Sequence, residues 1–239
     1  MDRLTPTRHP GCSPSGWQRW RELVFLHWPY PPEVVRRVVP RGLELDLHDG
    51  VAYVGIVAFA MEGVRPRPLP EALSFTFLET NVRTYVHLRG RAPGVYFFSL
   101  DAASWLAVTA ARIGWGLPYF HSRMRSERSG VDFGYEFERL SAPRPRFRAR
   151  WQIGDALGPA APDTLEHFLV ERYLLHVERR GRLYTGQVHH PPYPLRAAQL
   201  LELDEQLIAA AGIPAPNGPP PLVHYADGVD VEIFDLALS

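Results

Sequence analysis

The sequence predicts one α+β domain with a mainly antiparallel sheet. Runs of β-branched and aromatic residues, separated by turn signals, recur along the chain and are typical of antiparallel strands. Shorter stretches with apolar residues at helical spacing lie between these runs. No repeat, linker or charge block divides the 239 residues, and a hydrophobic fraction of 46% is sufficient for a substantial core.

The first part of the chain is predicted to be a flexible tail, residues 1–16, followed by a single domain, residues 17–239. An apolar run at 23–28 predicts a strand that ends at a group of prolines. A short helix is expected at 31–39, because proline is tolerated in the first turn of a helix.

A hairpin is the strongest local prediction. Two β-rich runs, 43–47 and 51–61, flank the pair Asp49-Gly50, and such a pair favours the tight turn of a hairpin. After a proline-rich loop, residues 74–88 alternate over a length that is unusual for one strand.

The remaining elements follow from the same patterns. A helix is expected at 102–113, and Asp163 with Glu166 has capping-box spacing ahead of a helix at 164–174. Residues 198–211 fit either one helix or a strand followed by a helix. Further strands are predicted at 95–101, 119–125, 131–140, 146–153, 183–189 and 229–236.

One face of the long strand 74–88 carries chemically active side chains, because alternate residues of a strand share a face. Two interpretations are open: the face points to water, as in a half-exposed antiparallel strand, or it lines a cavity. The large aromatic rings of Phe75 and Phe77 on this polar side favour the cavity. The face consists of Phe75, Phe77, Glu79, Asn81, Arg83, Tyr85 and His87.

In such a cavity, Arg83 would hold a carboxylate in a two-pronged pair. Burial would raise the pKa of Glu79 and the arginine would lower it, which is how an acid/base residue is tuned. We predict Glu79 and Tyr119 as catalytic residues, with Glu79 moving a proton and Tyr119 donating to an oxygen. The predicted ligand-binding residues are Phe77, Asn81, Arg83, Tyr85, His121 and His189.

The composition excludes several kinds of chemistry. All 26 basic residues are arginine, so the chain has no lysine for a Schiff base or a P-loop. Neither a Gly-x-Gly-x-x-Gly nor a Gly-x-Ser-x-Gly motif occurs, and we predict no cofactor. The only cysteine is Cys12, and adjacent His189 and His190 face opposite ways on a strand, so we predict no metal.

The expected partner is a small-molecule ligand. A net charge of zero and a pI near 7.2 give no basic surface for nucleic acid or an anionic membrane. No apolar stretch reaches the length of a membrane span or a signal peptide, so we expect a cytoplasmic protein. A homo-oligomer is compatible with the sequence, although no apolar stripe marks an interface.

Seven segments, taken in order, carry a family resemblance: FLHWPYPPEVVRRVVPRGLELDLHDGVAYVG, FLETNVRTYV, GVYFFSLDA, LPYFHSRM, LEHFLVERY, VHHPPYPL and HYADGVDV. With these segments the chain resembles an uncharacterised bacterial family labelled YqjF-like, over about residues 17–234. That family is similar in fold to acetoacetate decarboxylase. The resemblance therefore implies a cone-shaped antiparallel β-barrel with flanking helices and a cavity lined by strand faces.

The resemblance also bears on the chemistry. The decarboxylase has a Gly-Phe-Pro motif followed by paired lysines, and its counterpart here is the Gly-Leu-Pro segment at 116–118, followed by Tyr119 and Phe120. Neither position has an amine. Glu79 matches an active-site glutamate of the decarboxylase, so the resemblance implies the cavity without its Schiff-base chemistry.

We therefore predict a protein that binds a small organic acid or an aromatic carbonyl compound. If it is an enzyme, we expect acid/base chemistry next to the carbonyl, such as enolisation, hydration or dehydration, catalysed by a lyase or isomerase. The alternative is a non-catalytic binding or sensing protein. A structural or oligomerisation domain is a third interpretation.

Overall fold

The computed structural model describes residues 1–239, except the side chains of residues 110, 111 and 113. This part contains thirteen strands and four short α-helices. The strands are β1 (Gly16–Tyr30), β2 (Glu44–Leu45), β3 (Ala52–Pro66), β4 (Phe75–Leu88), β5 (Arg91–Ala102), β6 (Tyr119–Ser129), β7 (Asp132–Arg139), β8 (Arg146–Gly158), β9 (Leu174–Arg179), β10 (Arg182–His189), β11 (Leu195–Glu205), β12 (Leu222–Ile233) and β13 (Ala237–Leu238). The helices are α1 (Pro32–Arg36), α2 (Trp105–Gly114), α3 (Leu165–Val170) and α4 (Leu207–Ala210).

All thirteen strands belong to one sheet with the order β13-β10-β9-β5-β6-β7-β8-β11-β12-β1-β3-β4-β2. Two further pairings, β10 with β12 and β4 with β5, join strands that are distant in this order. The pairings are antiparallel except those of β5 with β6 and with β9. The predicted antiparallel-rich sheet is confirmed, and the sheet predominates over the few short helices.

Strand β1 is apolar at consecutive positions because it is buried on both faces. Leu23 and Phe25 pack into one hydrophobic cluster, whereas Val24 and Leu26 pack into a second cluster on the opposite face. A strand buried on both faces needs a continuous apolar run instead of simple alternation. The run at 23–28 has this character.

Strand β4 also lies between the two clusters. Glu79, Arg83 and Tyr85 are buried on the side of the first cluster, and Val82 and Val86 pack into the second. The interpretation in which the polar face of this strand points to water is therefore wrong along this part of β4. Only the start of the strand is open to solvent, where Phe75 is 41% exposed.

The turn of the predicted hairpin is confirmed, but the predicted pairing of its two strands is wrong. Asp49 and Gly50 adopt positive φ values of 51° and 79°, as a tight turn between β-rich runs requires. However, β2 pairs with β4 instead of β3. The physical reason is that both edges of β3 are already occupied, by β1 and by β4.

The predicted helix at 164–174 is too long. Helix α3 ends at Val170, and residues from Leu174 onward form β9, which pairs with β5 and β10. Its N-cap is Thr164, whose side chain accepts a hydrogen bond from the backbone N–H of His167 at 3.2 Å, and not Asp163. Long-range strand pairing overrides the local helical pattern after Val170. The ambiguous stretch 198–211 is a strand followed by a helix.

The N-terminal segment contacts the sheet. Arg3 forms an ion pair with the buried Asp46, and the Gln187 side-chain amide donates to the backbone carbonyl of Pro6 at 3.1 Å. The backbone N–H of Ser15 donates to the carbonyl of Ile233 at 2.8 Å. The flexibility expected of residues 1–16 stays a prediction.

Candidate functional site

A cavity of about 150 Å³ lies against the polar face of β4. Its wall is mostly apolar, with side chains from β1, β3, β5, β9, β10 and β12. A cavity of this size accommodates a molecule as large as benzene. The polar side chains on its wall include Gln18, Glu79, Arg83, Tyr119 and Arg172.

Glu79 and Tyr119 form a buried pair at this cavity. The Tyr119 hydroxyl donates to Oε2 of Glu79 at 2.7 Å, and the glutamate is 2% exposed. Burial raises the pKa of Glu79 to about 8; the Tyr119 hydrogen bond opposes this rise, and the negative charge of Asp101 adds to it. Burial also raises the pKa of Tyr119 well above its ordinary value. This carboxyl group therefore titrates close to neutral pH.

Arg83 lies on the same wall without a carboxylate partner among the described side chains. Its Nη2 donates to the backbone carbonyl of Leu169 at 3.2 Å, and its buried Nε has no hydrogen-bond partner. The guanidinium is 5.8 Å from the ring centroid of Phe25 and 5.9 Å from that of Tyr85. These rings offer a weak attraction to the cation, which does not replace a counter-ion.

Arg172 provides a contrast within the same wall. Its Nη1 donates to Oδ2 of Asp46 at 2.8 Å, and its Nε donates to the carbonyl of Phe168 at 2.6 Å. Arg172 therefore has a carboxylate partner, Asp46, which it shares with Arg3, whereas Arg83 has no carboxylate partner among the described side chains.

The other residues predicted on β4 lie beside the cavity. Phe77 borders a second, wider cavity. Tyr85 donates to the carbonyl of Leu169 at 2.7 Å and contacts Nε2 of His27 at 2.7 Å, so its hydroxyl is engaged within the protein. Asn81 is buried, and its Oδ1 has no hydrogen-bond partner in the described structure.

The structure does not bring His121 or His189 to the cavity wall. On β10 it is Val188 that lines the cavity, so the next residue, His189, points away and contacts Glu232 at 3.8 Å. His121 follows Tyr119 by two positions, about 7 Å further along β6, and is not a lining residue. Neither His121 nor His189 is therefore among the residues that line this cavity.

The second cavity has a volume of about 490 Å³ and shares part of its wall with the first, including Met61, Trp115 and Tyr119. Phe77 and Leu106 are among its other lining residues, and most of its wall is apolar. We call it the vestibule. It provides an apolar space next to the Glu79–Tyr119 pair.

Sequence patterns missed a buried ion pair behind the site. Nε and Nη2 of Arg139 donate to the two carboxylate oxygens of Asp101 at 2.8 and 2.7 Å, and the Ser122 hydroxyl donates to Oδ1 at 2.7 Å. The three residues come from β5, β6 and β7, so no local spacing could have predicted their contact. This carboxylate contributes to the raised pKa of Glu79.

Replacing Asp101 with asparagine is expected to lower the free energy of unfolding by about 3–5 kcal/mol, because Arg139 would then be a buried cation without a counter-ion. Urea denaturation measures this loss. The matched control is Glu202→Gln, which removes the partner of the exposed Arg150 and should cost no more than about 1 kcal/mol. Equal losses in the two variants would contradict the assignment.

No helix in the described part of the chain has the length and hydropathy needed to cross a membrane.

In its fold the molecule is similar to acetoacetate decarboxylase-like enzymes. It superposes on the enduracididine biosynthesis enzyme MppR complexed with pyruvate with a TM-score of 0.67 and 15% identity, covering 97% of this chain and 93% of the other. For acetoacetate decarboxylase the TM-score is 0.63 with 12% identity, covering 98% and 91%. An acetoacetate decarboxylase-like enzyme from Sphingomonas wittichii RW1 gives 0.62 with 11% identity, covering 95% and 94%. At these identities the likeness shows the fold alone.

The chain belongs to the DUF2071 family of uncharacterised conserved proteins, whose profile matches residues 17–230. It is 38% identical over 220 residues to the uncharacterised protein YqjF of Bacillus subtilis (strain 168), which covers 92% of this chain and 90% of YqjF. The resemblance to the YqjF-like family is thereby confirmed.

Proposed function

We propose that this protein binds a small carboxylic acid that also carries a carbonyl group, and that it catalyses proton transfer next to that carbonyl. One observation carries the proposal. The unpaired guanidinium of Arg83 and the buried Glu79–Tyr119 pair lie on the wall of the same cavity.

The charge of Arg83 supports a carboxylate ligand. Removing a guanidinium from water costs several kcal/mol unless a counter-ion and hydrogen bonds compensate. Arg83 donates to the carbonyl of Leu169, and its buried Nε has no hydrogen-bond partner among the described residues, so it keeps N–H groups for a ligand. A bound carboxylate would neutralise the cation and accept two of its hydrogen bonds at once.

The Glu79–Tyr119 pair supports acid/base chemistry. With a pKa of about 8, Glu79 is mostly protonated at pH 7 and becomes a base as the pH rises. As a base it would take the proton from the carbon next to the ligand carbonyl. The Tyr119 hydroxyl would then donate to the oxygen, where the negative charge of the enolate develops. Because the chain has no lysine, this chemistry proceeds without a lysine Schiff base.

Two features support the size and polarity of the ligand. The cavity has room for about the volume of benzene, and the apolar vestibule next to it suits an aromatic or aliphatic group.

We propose that the sheet forms a cone-shaped barrel around the ligand, supported by the pairings of β4 with β5 and of β10 with β12. Structures of MppR with pyruvate and with a condensation product of pyruvate and imidazole 4-carboxaldehyde lend support to a 2-oxo acid as ligand.

The second candidate is a non-catalytic binding or sensing protein. The charge of Arg83 supports a binding protein as well as an enzyme, because recognition of an anion requires a cation without a partner but does not require a base. In that case Glu79 and Tyr119 would recognise the carbonyl without moving a proton.

The test combines binding with exchange. Pyruvate, acetoacetate and phenylpyruvate are screened by thermal shift, and each stabilising acid is then followed by NMR in D₂O for deuterium uptake next to its carbonyl. We expect exchange that accelerates as the pH rises toward about 8 and slows about 100-fold or more in Glu79→Gln.

The outcomes separate the two candidates. Stabilisation without exchange above the buffer rate would identify a binding protein. Exchange that is unchanged in Glu79→Gln would contradict the role of this glutamate. If none of the three acids stabilises the protein, the carboxylate ligand is wrong.

A further inference from the structure

A cluster of two imidazoles and a carboxylate lies on the surface, away from the wall of the cavity. Nε2 of His9 is 2.8 Å from Oε2 of Glu232, and Nδ1 of His189 is 3.8 Å from the same oxygen. One donor atom from each residue lies within 4.8 Å of the others. We propose that these three residues form a site for a divalent transition metal, with Zn²⁺ as the best match.

Two of the three ligands are fixed by the sheet. His189 on β10 and Glu232 on β12 are directly paired residues of an antiparallel ladder. Side chains at such positions leave the sheet on one face with their Cβ atoms about 5 Å apart. The neighbouring pair, Val188 and Ile233, points to the other face and lines the cavity. The two ligands are therefore held side by side by backbone pairing.

The third ligand comes from the N-terminal segment, which is held close to the sheet. The Gln187 amide donates to the carbonyls of Pro6 and Arg8 at 3.1 and 3.3 Å. The imidazole of His9 then packs edge-on against His189, with ring centroids 4.8 Å apart, and against Phe234 at 5.5 Å. These contacts place His9 over the ladder pair.

The donor set fits zinc. Two imidazole nitrogens and one carboxylate oxygen are a common ligand set, with a fourth position left for water. In a tetrahedral site with bonds of about 2.0 Å, neighbouring donor atoms are about 3.3 Å apart. The separations of 2.8 Å and 3.8 Å from Glu232 lie on both sides of this value, so metal binding would require small movements of the side chains.

The charges around the cluster are mixed, because the acidic Glu232 and Asp230 lie in one surface groove with Arg19 and Arg65. Glu232 makes its ion-pair contacts with the two imidazoles, while the nearby Asp230 is paired with Arg21. A metal ion would take the place of the hydrogen bond between His9 and Glu232 and would add positive charge beside the carboxylate. His9 and Glu232 are far apart in sequence, which explains why spacing alone predicted no metal.

The experiment is a calorimetric titration of chelator-treated, full-length protein with ZnCl₂. We expect one zinc ion per chain, and an affinity at least about tenfold lower in each of His9→Ala, His189→Ala and Glu232→Gln. Two matched controls should bind like the wild type. Cys12→Ser removes the single exposed thiol, and His121→Ala removes a histidine elsewhere on the sheet.

Limited proteolysis gives a second measurement, because a metal that joins His9 to the ladder should protect the N-terminal segment. Zinc is expected to slow cleavage within residues 1–15 of the wild type but not of His189→Ala. The proposal is overturned if the wild type binds no zinc, if Cys12→Ser loses the binding, or if His189→Ala binds and is protected like the wild type.

Discussion

Replacing Arg83 with methionine is expected to abolish the response to small carboxylic acids and to leave the unliganded protein as stable as the wild type, or more stable. The guanidinium is buried without a carboxylate partner among the described side chains. Replacing such a cation with an apolar chain of similar length removes a desolvation penalty from the folded state. It also removes the counter-ion for the ligand carboxylate.

Thermal shift with and without a 2-oxo acid measures both effects. At a ligand concentration of 100 times its dissociation constant, binding stabilises the wild type by about 2.7 kcal/mol, and this increment should disappear in Arg83→Met. Arg125→Met is the matched control, because the Arg125 side chain is 71% exposed on β6. If Arg83→Met still responds to the acid like the control, the anion anchor lies elsewhere.

Replacing Glu79 with glutamine is expected to stabilise the protein at high pH. Folding raises the pKa of this buried carboxyl from its ordinary value of 4.5 to about 8. Well below pH 4.5 the carboxyl group is protonated in both the folded and the unfolded protein, so it does not change the free energy of unfolding. As the pH rises to about 8, the unfolded chain loses its proton and the folded protein resists doing so, so the free energy of unfolding falls. Each pKa unit corresponds to about 1.4 kcal/mol, which gives a total of about 5 kcal/mol.

Urea denaturation of both proteins at pH 5, 7 and 9 tests this prediction. The difference in free energy of unfolding should be small at pH 5 and grow in favour of Glu79→Gln up to pH 9. Glu127→Gln, which removes a carboxylate that is 68% exposed, should show little of this trend. A difference that stays constant across the three pH values would mean that Glu79 is not perturbed by burial.

Local patterns predicted the parts of the site that lie on one strand. Alternation along β4 placed Glu79 and Arg83 on one face, because the period of a strand is a property of the backbone alone. The family resemblance added Glu79 as a matched position and pointed to the Gly-Leu-Pro segment at 116–118, which is followed by Tyr119. In the structure the Tyr119 hydroxyl donates to Oε2 of Glu79, a contact that neither signal predicted, and the catalytic roles of the two residues stay a prediction.

The rest of the site depends on pairings between distant strands. Arg172 reaches the cavity because the chain leaves α3 and enters β9, where the local pattern predicted a continuing helix. His189 was placed in the site by residue type, but the register of β10 directs Val188 inward. Which face of a strand is buried is decided by its neighbours, and β2 likewise pairs with β4 because β3 has no free edge.

The central claim is that Arg83 and Glu79 contact one ligand in one cavity. A crystal structure with a bound 2-oxo acid, pyruvate or phenylpyruvate, tests it most directly. We predict the carboxylate within hydrogen-bonding distance of the Arg83 guanidinium and the carbonyl oxygen next to Tyr119, with Glu79 facing the adjacent carbon. A ligand bound elsewhere, or an Arg83 side chain paired with a protein carboxylate in a closed cavity, would contradict the claim.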